Sequence, residues 1–239
     1  MEKQQISQYL SLLKSEISPA LGCTEPAAAA LTVAYAAHEL GKTPSRIEVN
    51  VSRYILKNGM NVGIPGTGMI GLDIAAALGA LSAAPEKQLL VLNGLTDEQK
   101  QQAKDMVSQK KVHIGLGDTE EKVWIQAKVT DGDDEAEAII SGTHTGLVFL
   151  RQNQSVLVDK KTEPAQAGAE AEPEEYSITL DSIVDFVRSV DGSELTFLRE
   201  VIRLNRTIAE EGLTHDYGLK VGKSLLEGDR TGLVSHDIA

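Results

Sequence analysis

Hydrophobic residues recur every three or four positions in several segments of the chain, which predicts amphipathic or buried helices. The predicted helices span residues 6–17, 27–40, 71–83, 96–107, 180–190, 194–211 and 217–226. The first ends at Ser18-Pro19, because a residue before proline is disfavoured in the helical conformation. The second and third are rich in alanine. Since their small side chains allow close packing, we expect both to be buried at the centre of the fold.

Between these helices, hydrophobic and polar residues alternate in the way that is typical of half-buried strands. The predicted strands span residues 47–51, 112–116, 123–129, 137–141, 146–150 and 156–158. Asp131-Gly132 marks a turn between two of them. The predicted fold class is therefore α+β: a mixed α/β N-terminal block with alanine-rich buried helices and a small sheet, followed by a helical C-terminal block.

Acidic residues outnumber basic ones by 35 to 23 in the 239 residues, which gives a net charge of −12. A nucleic-acid partner is not expected, because phosphate binding requires a basic face. The chain has no apolar run of about 18 residues that would span a membrane. Its polar N-terminus lacks the apolar stretch of a signal peptide. These features predict a cytoplasmic protein without a membrane partner.

The negative charge is concentrated in two runs, residues 131–137 and 159–175. The second run is rich in Ala, Gly, Gln and Pro and has almost no large apolar residue, so it cannot bury enough surface to offset the entropy of ordering. We expect an exposed acidic connector there. The predicted organisation is a mixed α/β substrate-binding block over 1–158, the connector over 159–176, and a helical block over 177–239.

Cys23, the single cysteine, lies just before a predicted helix and follows Gly22. The free N–H groups and the dipole of a helix start stabilise a thiolate, which predicts a depressed pKa for this thiol. A thiolate can bind metal, attack an electrophile or accept a proton. The alternative is a buried structural cysteine. One cysteine allows neither an internal disulfide nor a metal site made of several thiolates within the chain.

Two further segments are candidates for ligand binding. Residues 58–71 contain five glycines and connect a predicted strand to a helix, where free backbone N–H groups bind carboxylate or phosphate. This segment lacks the lysine of a phosphate-binding loop, and a purely structural loop is the alternative. His144 lies between two predicted strands in Ser-Gly-Thr-His-Thr-Gly, 141–146, where it is either part of a binding corner or an exposed loop histidine.

Several of these stretches resemble the L-cysteine desulfidases, which are related to the α chain of the iron–sulfur L-serine dehydratases. Ser-Pro-Ala-Leu-Gly-Cys-Thr-Glu-Pro at 18–26, followed by the alanine-rich helix, resembles the opening motif of that family. Lys-Asn-Gly-Met at 57–60, Val-Gly-Ile-Pro-Gly-Thr-Gly at 62–68 and Ser-Gly-Thr-His-Thr at 141–145 are also similar to it. The resemblance extends over the whole chain.

The resemblance implies an oxygen-sensitive four-iron, four-sulfur (4Fe-4S) cluster and a β-elimination that converts L-cysteine to sulfide, ammonia and pyruvate. It implies that Cys23 is catalytic, as the base that removes the Cα proton, or that it contacts the cluster as a metal ligand. We favour the base. The implied substrate-binding residues are Thr24, Glu25, Asn58, Gly59, Met60, Thr67, Gly68, His144 and Thr145.

Members of the resembled family are longer and carry their cluster cysteines in the C-terminal half. We therefore expect the main cluster ligands outside this chain, in a C-terminal half or a partner subunit, and this chain alone to be inactive. The chain would then be a fragment, a truncated product or one part of a split enzyme. The alternatives are a non-catalytic amino-acid-binding remnant and an L-serine dehydratase-type lyase. A small amino acid is the expected ligand, and a homo-oligomer is possible.

Overall fold

The computed structural model describes residues 1–17, 19–20, 22–160, 178–216 and 220–228. The helices are α1 (Lys3–Glu16), α2 (Thr24–Leu40), α3 (Arg53–Gly59), α4 (Leu72–Ser82), α5 (Asp97–Ser108), α6 (Leu180–Ser189), α7 (Thr196–Thr214) and α8 (Val221–Gly228). The strands are β1 (Arg46–Val51), β2 (Gly63–Ile64), β3 (Met69–Ile70), β4 (Val112–Leu116), β5 (Trp124–Asp131), β6 (Asp134–Ser141), β7 (Leu147–Gln152) and β8 (Ser155–Asp159). The predicted α+β class is confirmed.

The chain divides into two compact units. Residues 19–176 form the mixed unit, and residues 1–18 together with 177–239 form the helical unit. The sequence pattern placed the first helix with the mixed block, whereas the structure groups it with the C-terminal helices. The predicted connector lies almost entirely outside the described residues. No described helix is both long enough and apolar enough to cross a bilayer.

The mixed unit is built on a six-stranded sheet with the order β4-β1-β5-β6-β7-β8. Strands β1 and β4 are parallel, and every other neighbouring pair in this sheet is antiparallel. One face of the sheet is apolar because alternate residues point to it, as the burial of Ile47, Val49 and Val51 in β1 shows. Strands β2 and β3 form a separate small hairpin.

The two alanine-rich helices lie side by side over the apolar face, α2 against β5, β6 and β7, and α4 against β1 and β4. Twelve of the 17 residues of α2 are buried, which confirms its predicted central position. A Cβ atom on Gly79 of α4 would lie 2.8 Å from the carbonyl carbon of Ala30 in α2. The two backbones therefore touch at this point, and only glycine allows that approach.

The opposite face of the sheet is polar and held by ion pairs. Arg151 of β7 reaches two carboxylates of β6, Glu135 at 2.5 Å and Glu137 at 2.9 Å. Lys128 of β5 lies 2.6 Å from the same Glu135. In these pairs the positive charges of Arg151 and Lys128 offset the negative charges of Glu135 and Glu137, so this part of the face is not acidic overall.

The helical unit has little buried interior. The Tyr9 ring stacks on Phe186 with the ring centroids 5.0 Å apart, and the Tyr9 hydroxyl donates a hydrogen bond of 2.6 Å to Ser182. These contacts join α1 to α6. Within the described part of this unit, Leu10 and Phe186 are the only buried residues.

Candidate functional site

The start of α2 contributes three polar residues to the candidate site, namely Cys23, Thr24 and Glu25. Gly22 has a φ of +81°, and Cys23 returns to an extended conformation and forms the N-cap. Thr24 is the first helical residue. Pro26 fits the first turn, where its missing N–H has no helical partner to lose. Cys23, Thr24 and Glu25 are each half-buried.

The Glu25 carboxylate is the centre of a hydrogen-bonded cluster. One of its oxygens, Oε2, accepts hydrogen bonds from the Cys23 thiol at 2.8 Å and from the Thr24 hydroxyl at 3.3 Å. The other, Oε1, accepts one from the Asn58 side-chain amide at 2.9 Å. Asn58 lies in the last turn of α3, so the cluster joins two helices that are far apart in the sequence. We call these four residues the Glu25 cluster.

The electrostatics of the pair oppose ionisation of the cysteine. Burial raises the pKa of the Cys23 thiol above 9.0, and its hydrogen bond to the negative Glu25 carboxylate raises it further. The N–H groups of Glu25 and Thr24 lower this pKa, as expected at a helix start, but their effect is smaller. The predicted depressed pKa is therefore wrong, because burial and the hydrogen bond to the Glu25 carboxylate together outweigh the effect of the helix terminus on the pKa. At neutral pH Cys23 is a thiol.

Glu25 is shifted in the opposite direction. Burial by itself would raise the pKa of this carboxyl, but the hydrogen bonds from Cys23 and Asn58 outweigh burial and lower the pKa below 4.5. A smaller electrostatic contribution from His144 acts in the same direction, so His144, in the loop between β6 and β7, lies within electrostatic range of this carboxylate. Two neighbouring acids with pKa values displaced in opposite directions are typical of proton-transfer sites and also occur in structural networks.

The loop that carries His144 is a tight turn held by backbone hydrogen bonds. The Gly146 N–H donates to Thr143 O, and the Ser141 N–H donates to Gly146 O. His144 itself is half-buried and Thr145 is exposed. No described contact joins Thr145 to the Glu25 cluster, so its assignment as a binding residue remains a prediction.

The glycine-rich segment separates into a structural part and an exposed part. Gly59 ends α3 and is buried, and a Cβ atom there would collide with the side chain of Leu72. Thr67 is also buried, and its hydroxyl donates to Ile64 O at 2.7 Å and accepts from the Met69 N–H at 3.0 Å. Both residues thus serve the local packing in this structure. Gly68 follows in the β2–β3 turn, is exposed and has a φ of +69°.

Met60 lies beside an open depression of about 470 Å³ rather than in the Glu25 cluster. The depression is lined by the end of α3, the β2–β3 hairpin, the start of α4 and the edge strand β4, which contributes His113 and Ile114. No motif in the sequence predicted that these segments lie together. The parallel pairing of β4 with β1, which brings them together, leaves no local signal in the sequence.

A four-iron cluster takes several thiolate ligands, usually from cysteines. Cys23 is the single cysteine of the chain, and in its described part no three His, Cys, Asp or Glu side chains are grouped as they would be around a metal ion. The residues of this chain therefore do not fit the implied cluster by themselves. The possible contact of Cys23 with a cluster stays a prediction.

The chain is similar to several proteins that carry the name UPF0597 protein. It is 41% identical over 240 residues to one from Oleidesulfovibrio alaskensis, with 100% of this chain and 55% of the relative covered. It is 42% identical over 226 residues to one from Bacteroides fragilis, with 94% and 52% covered. A third, from Actinobacillus pleuropneumoniae, is 36% identical over 238 residues, with 99% and 54% covered.

The chain thus spans about half the length of the curated relatives it matches. The names of these relatives specify no reaction, ligand or cofactor. No family model matches the chain. No solved structure matches it either.

Proposed function

We propose that this chain is the substrate-binding and proton-transferring part of a cytoplasmic L-cysteine desulfidase, a carbon–sulfur lyase. The observation that carries the proposal is the Glu25 cluster, in which a thiol and a carboxylate share a hydrogen bond of 2.8 Å beside Asn58 and His144. The resemblance of residues 18–26 to the desulfidase motif supports the same assignment. Any iron–sulfur cluster would need ligands from outside this chain.

The residues of the cluster match the groups of an α-amino acid. The Glu25 carboxylate is a partner for the substrate ammonium group, and the His144 side chain suits the substrate carboxylate. Cys23 is the base for the Cα proton. Since its pKa is raised, its thiolate is scarce at neutral pH but is a strong base once it forms.

The elimination balances as follows. In the thiolate form of Cys23, the sulfur takes the Cα proton and becomes a thiol, the C–H electron pair forms the Cα=Cβ double bond, and the Cβ–S bond breaks so that sulfide leaves with its electron pair. The 2-aminoacrylate then takes up water and yields pyruvate and ammonia. L-serine would lose hydroxide by the same route. An L-serine dehydratase-type lyase, with L-serine as its substrate, is therefore the alternative.

A second candidate is a non-catalytic amino-acid-binding protein. The single cysteine favours it, because one thiolate is too few to hold an iron–sulfur cluster, and the cluster is the group that would activate the leaving group. Both candidates use the Glu25 cluster to hold an amino acid. They differ in whether bound L-cysteine is turned over.

The test is sulfide release from L-cysteine under anaerobic conditions, after this chain and the polypeptide that completes the length of the relatives have been reconstituted with iron and sulfide and the unbound sulfide has been removed. We expect sulfide, pyruvate and ammonia in equal amounts, and a loss of about 10²–10⁴-fold in Cys23→Ala. The matched control is Glu98→Gln, a glutamate in the first turn of α5, which should keep full activity. Binding of L-cysteine without sulfide would favour the second candidate, and full activity of Cys23→Ala would contradict the proposed base.

A further inference from the structure

The helical unit exposes far more large hydrophobic side chains than the mixed unit. Eleven of the 17 such side chains that are exposed among the described residues belong to it, although it is the smaller of the two units. Helix α7 has 19 residues and none of them is buried. Exposed apolar side chains in this number are typical of a protein interface rather than of a free surface.

The exposed residues form stripes at helical spacing. Each of the three C-terminal helices carries a pair four residues apart, which lies on one side of its helix. The pairs are Ile183 and Val187 in α6, Leu204 and Ile208 in α7, and Val221 and Leu225 in α8, with exposures from 41% to 70%. We call these six residues the apolar helical surface.

The charges of α7 favour a protein partner over a lipid bilayer or a nucleic acid. Arg203 lies 2.6 Å from Glu200, and Arg206 lies 3.1 Å from Glu210, so these cations are paired within their own helix. An interfacial membrane helix presents a basic polar face to anionic lipid. The polar side of α7 presents internally compensated charge instead.

The length of the relatives indicates what the partner is. The chain aligns over its full length with 55% of the Oleidesulfovibrio alaskensis relative, so that relative has a further stretch nearly as long, with no counterpart here. The alignment includes α6, α7 and α8, which in the relative belong to the same polypeptide as that stretch. We propose that the apolar helical surface docks the polypeptide equivalent to that stretch, whether it is supplied as a separate subunit or in the same chain. This inference is independent of the proposed lyase activity.

The experiment compares this chain with the full-length relative from Oleidesulfovibrio alaskensis by amide hydrogen exchange. We expect the segment of α7 to exchange at least about tenfold more slowly in the relative, because its apolar side is covered there. Strand β8, whose Val156 is 53% exposed, serves as the control and should exchange similarly in the two proteins.

A charged substitution provides the second arm. Ile208→Asp should leave the melting temperature of this chain unchanged because Ile208 is 70% exposed. Aspartate at the aligned position of the relative should abolish the protection of α7. Equal exchange of α7 in the two proteins would overturn the proposal. So would a homodimer of this chain that Ile208→Asp dissociates in light scattering, or flotation of the chain with anionic vesicles that Ile208→Asp prevents.

Discussion

Replacing Gly79 by alanine should destabilise the mixed unit, although alanine is the better helix former. The added Cβ atom would lie 2.8 Å from both the Cα atom and the carbonyl carbon of Ala30. Both are backbone atoms, which cannot rotate away as a flexible side chain would. Helices α2 and α4 must therefore separate, which loosens the largest helix–helix contact among the described residues.

The magnitude follows from two opposing contributions. Alanine in a helix interior is favoured over glycine by about 1 kcal/mol. Overpacking of a well-packed core costs about 1–3 kcal/mol, and a collision with backbone belongs at the upper end of that range. The net loss in the free energy of unfolding is about 2 kcal/mol. For a unit of this size, that corresponds to a fall of about 4–8 °C in melting temperature.

Trp124, the single tryptophan, lies in β5 of the mixed unit, so its fluorescence follows the unfolding of this unit in urea. The matched control is Gly212→Ala, because Gly212 is also within a helix but its added Cβ atom would meet nothing within 4 Å. Because Gly212 lies in the helical unit and Trp124 in the mixed unit, the control should leave the urea midpoint measured by Trp124 fluorescence unchanged. An unchanged or higher midpoint for Gly79→Ala would refute the close approach of α2 and α4.

Two further predictions concern the Glu25 cluster. Glu25→Gln removes the negative charge beside Cys23 and should therefore lower the pKa of the thiol. Alkylation by iodoacetamide at pH 8 should then be faster than in the unaltered chain, because more of the cysteine is thiolate. An equal or slower rate would show that the carboxylate does not raise the pKa of the thiol. The pKa of Glu25 is lowered below 4.5 in the folded state, so its contribution to stability is complete above pH 4.5 and is lost as the pH falls through the folded pKa. The difference in unfolding free energy between the unaltered chain and Glu25→Gln should therefore shrink on acidification below pH 4.5, whereas Glu98→Gln should show no such trend.

The local elements of this fold were predictable because their signals are local. The helix over 27–40 and its end at Gly41 follow from the alanine run and from the left-handed φ of +71° that glycine adopts readily. The alternation of Ile47, Val49 and Val51 predicted β1, and the structure confirms it. Thr96, at the start of the helix predicted over 96–107, forms the N-cap of α5 with a reciprocal hydrogen bond to Gln99.

Only some of the predicted site residues lie together in the structure, and the chemistry of that group was not predictable. Motifs marked Cys23, Glu25, Asn58 and His144 individually, and the structure brings them together from α2, α3 and the β6–β7 loop. The sign of the Cys23 pKa shift was not predictable from its position at a helix start. That sign depends first on the burial of the thiol and then on where the Glu25 side chain points, and packing decides both.

The sequence by itself determined the α+β class, the buried alanine-rich helices and the residue types of the Glu25 cluster, because periodicity and helix-end preferences act over only a few residues. The tertiary structure decided the parallel pairing of β1 with β4, the helix α3 and the β2–β3 hairpin within the glycine-rich segment, and the grouping of α1 with the C-terminal helices. Each of these depends on contacts between segments far apart in the chain. Such contacts are selected by the fit of whole surfaces, which the pattern within any one segment does not encode.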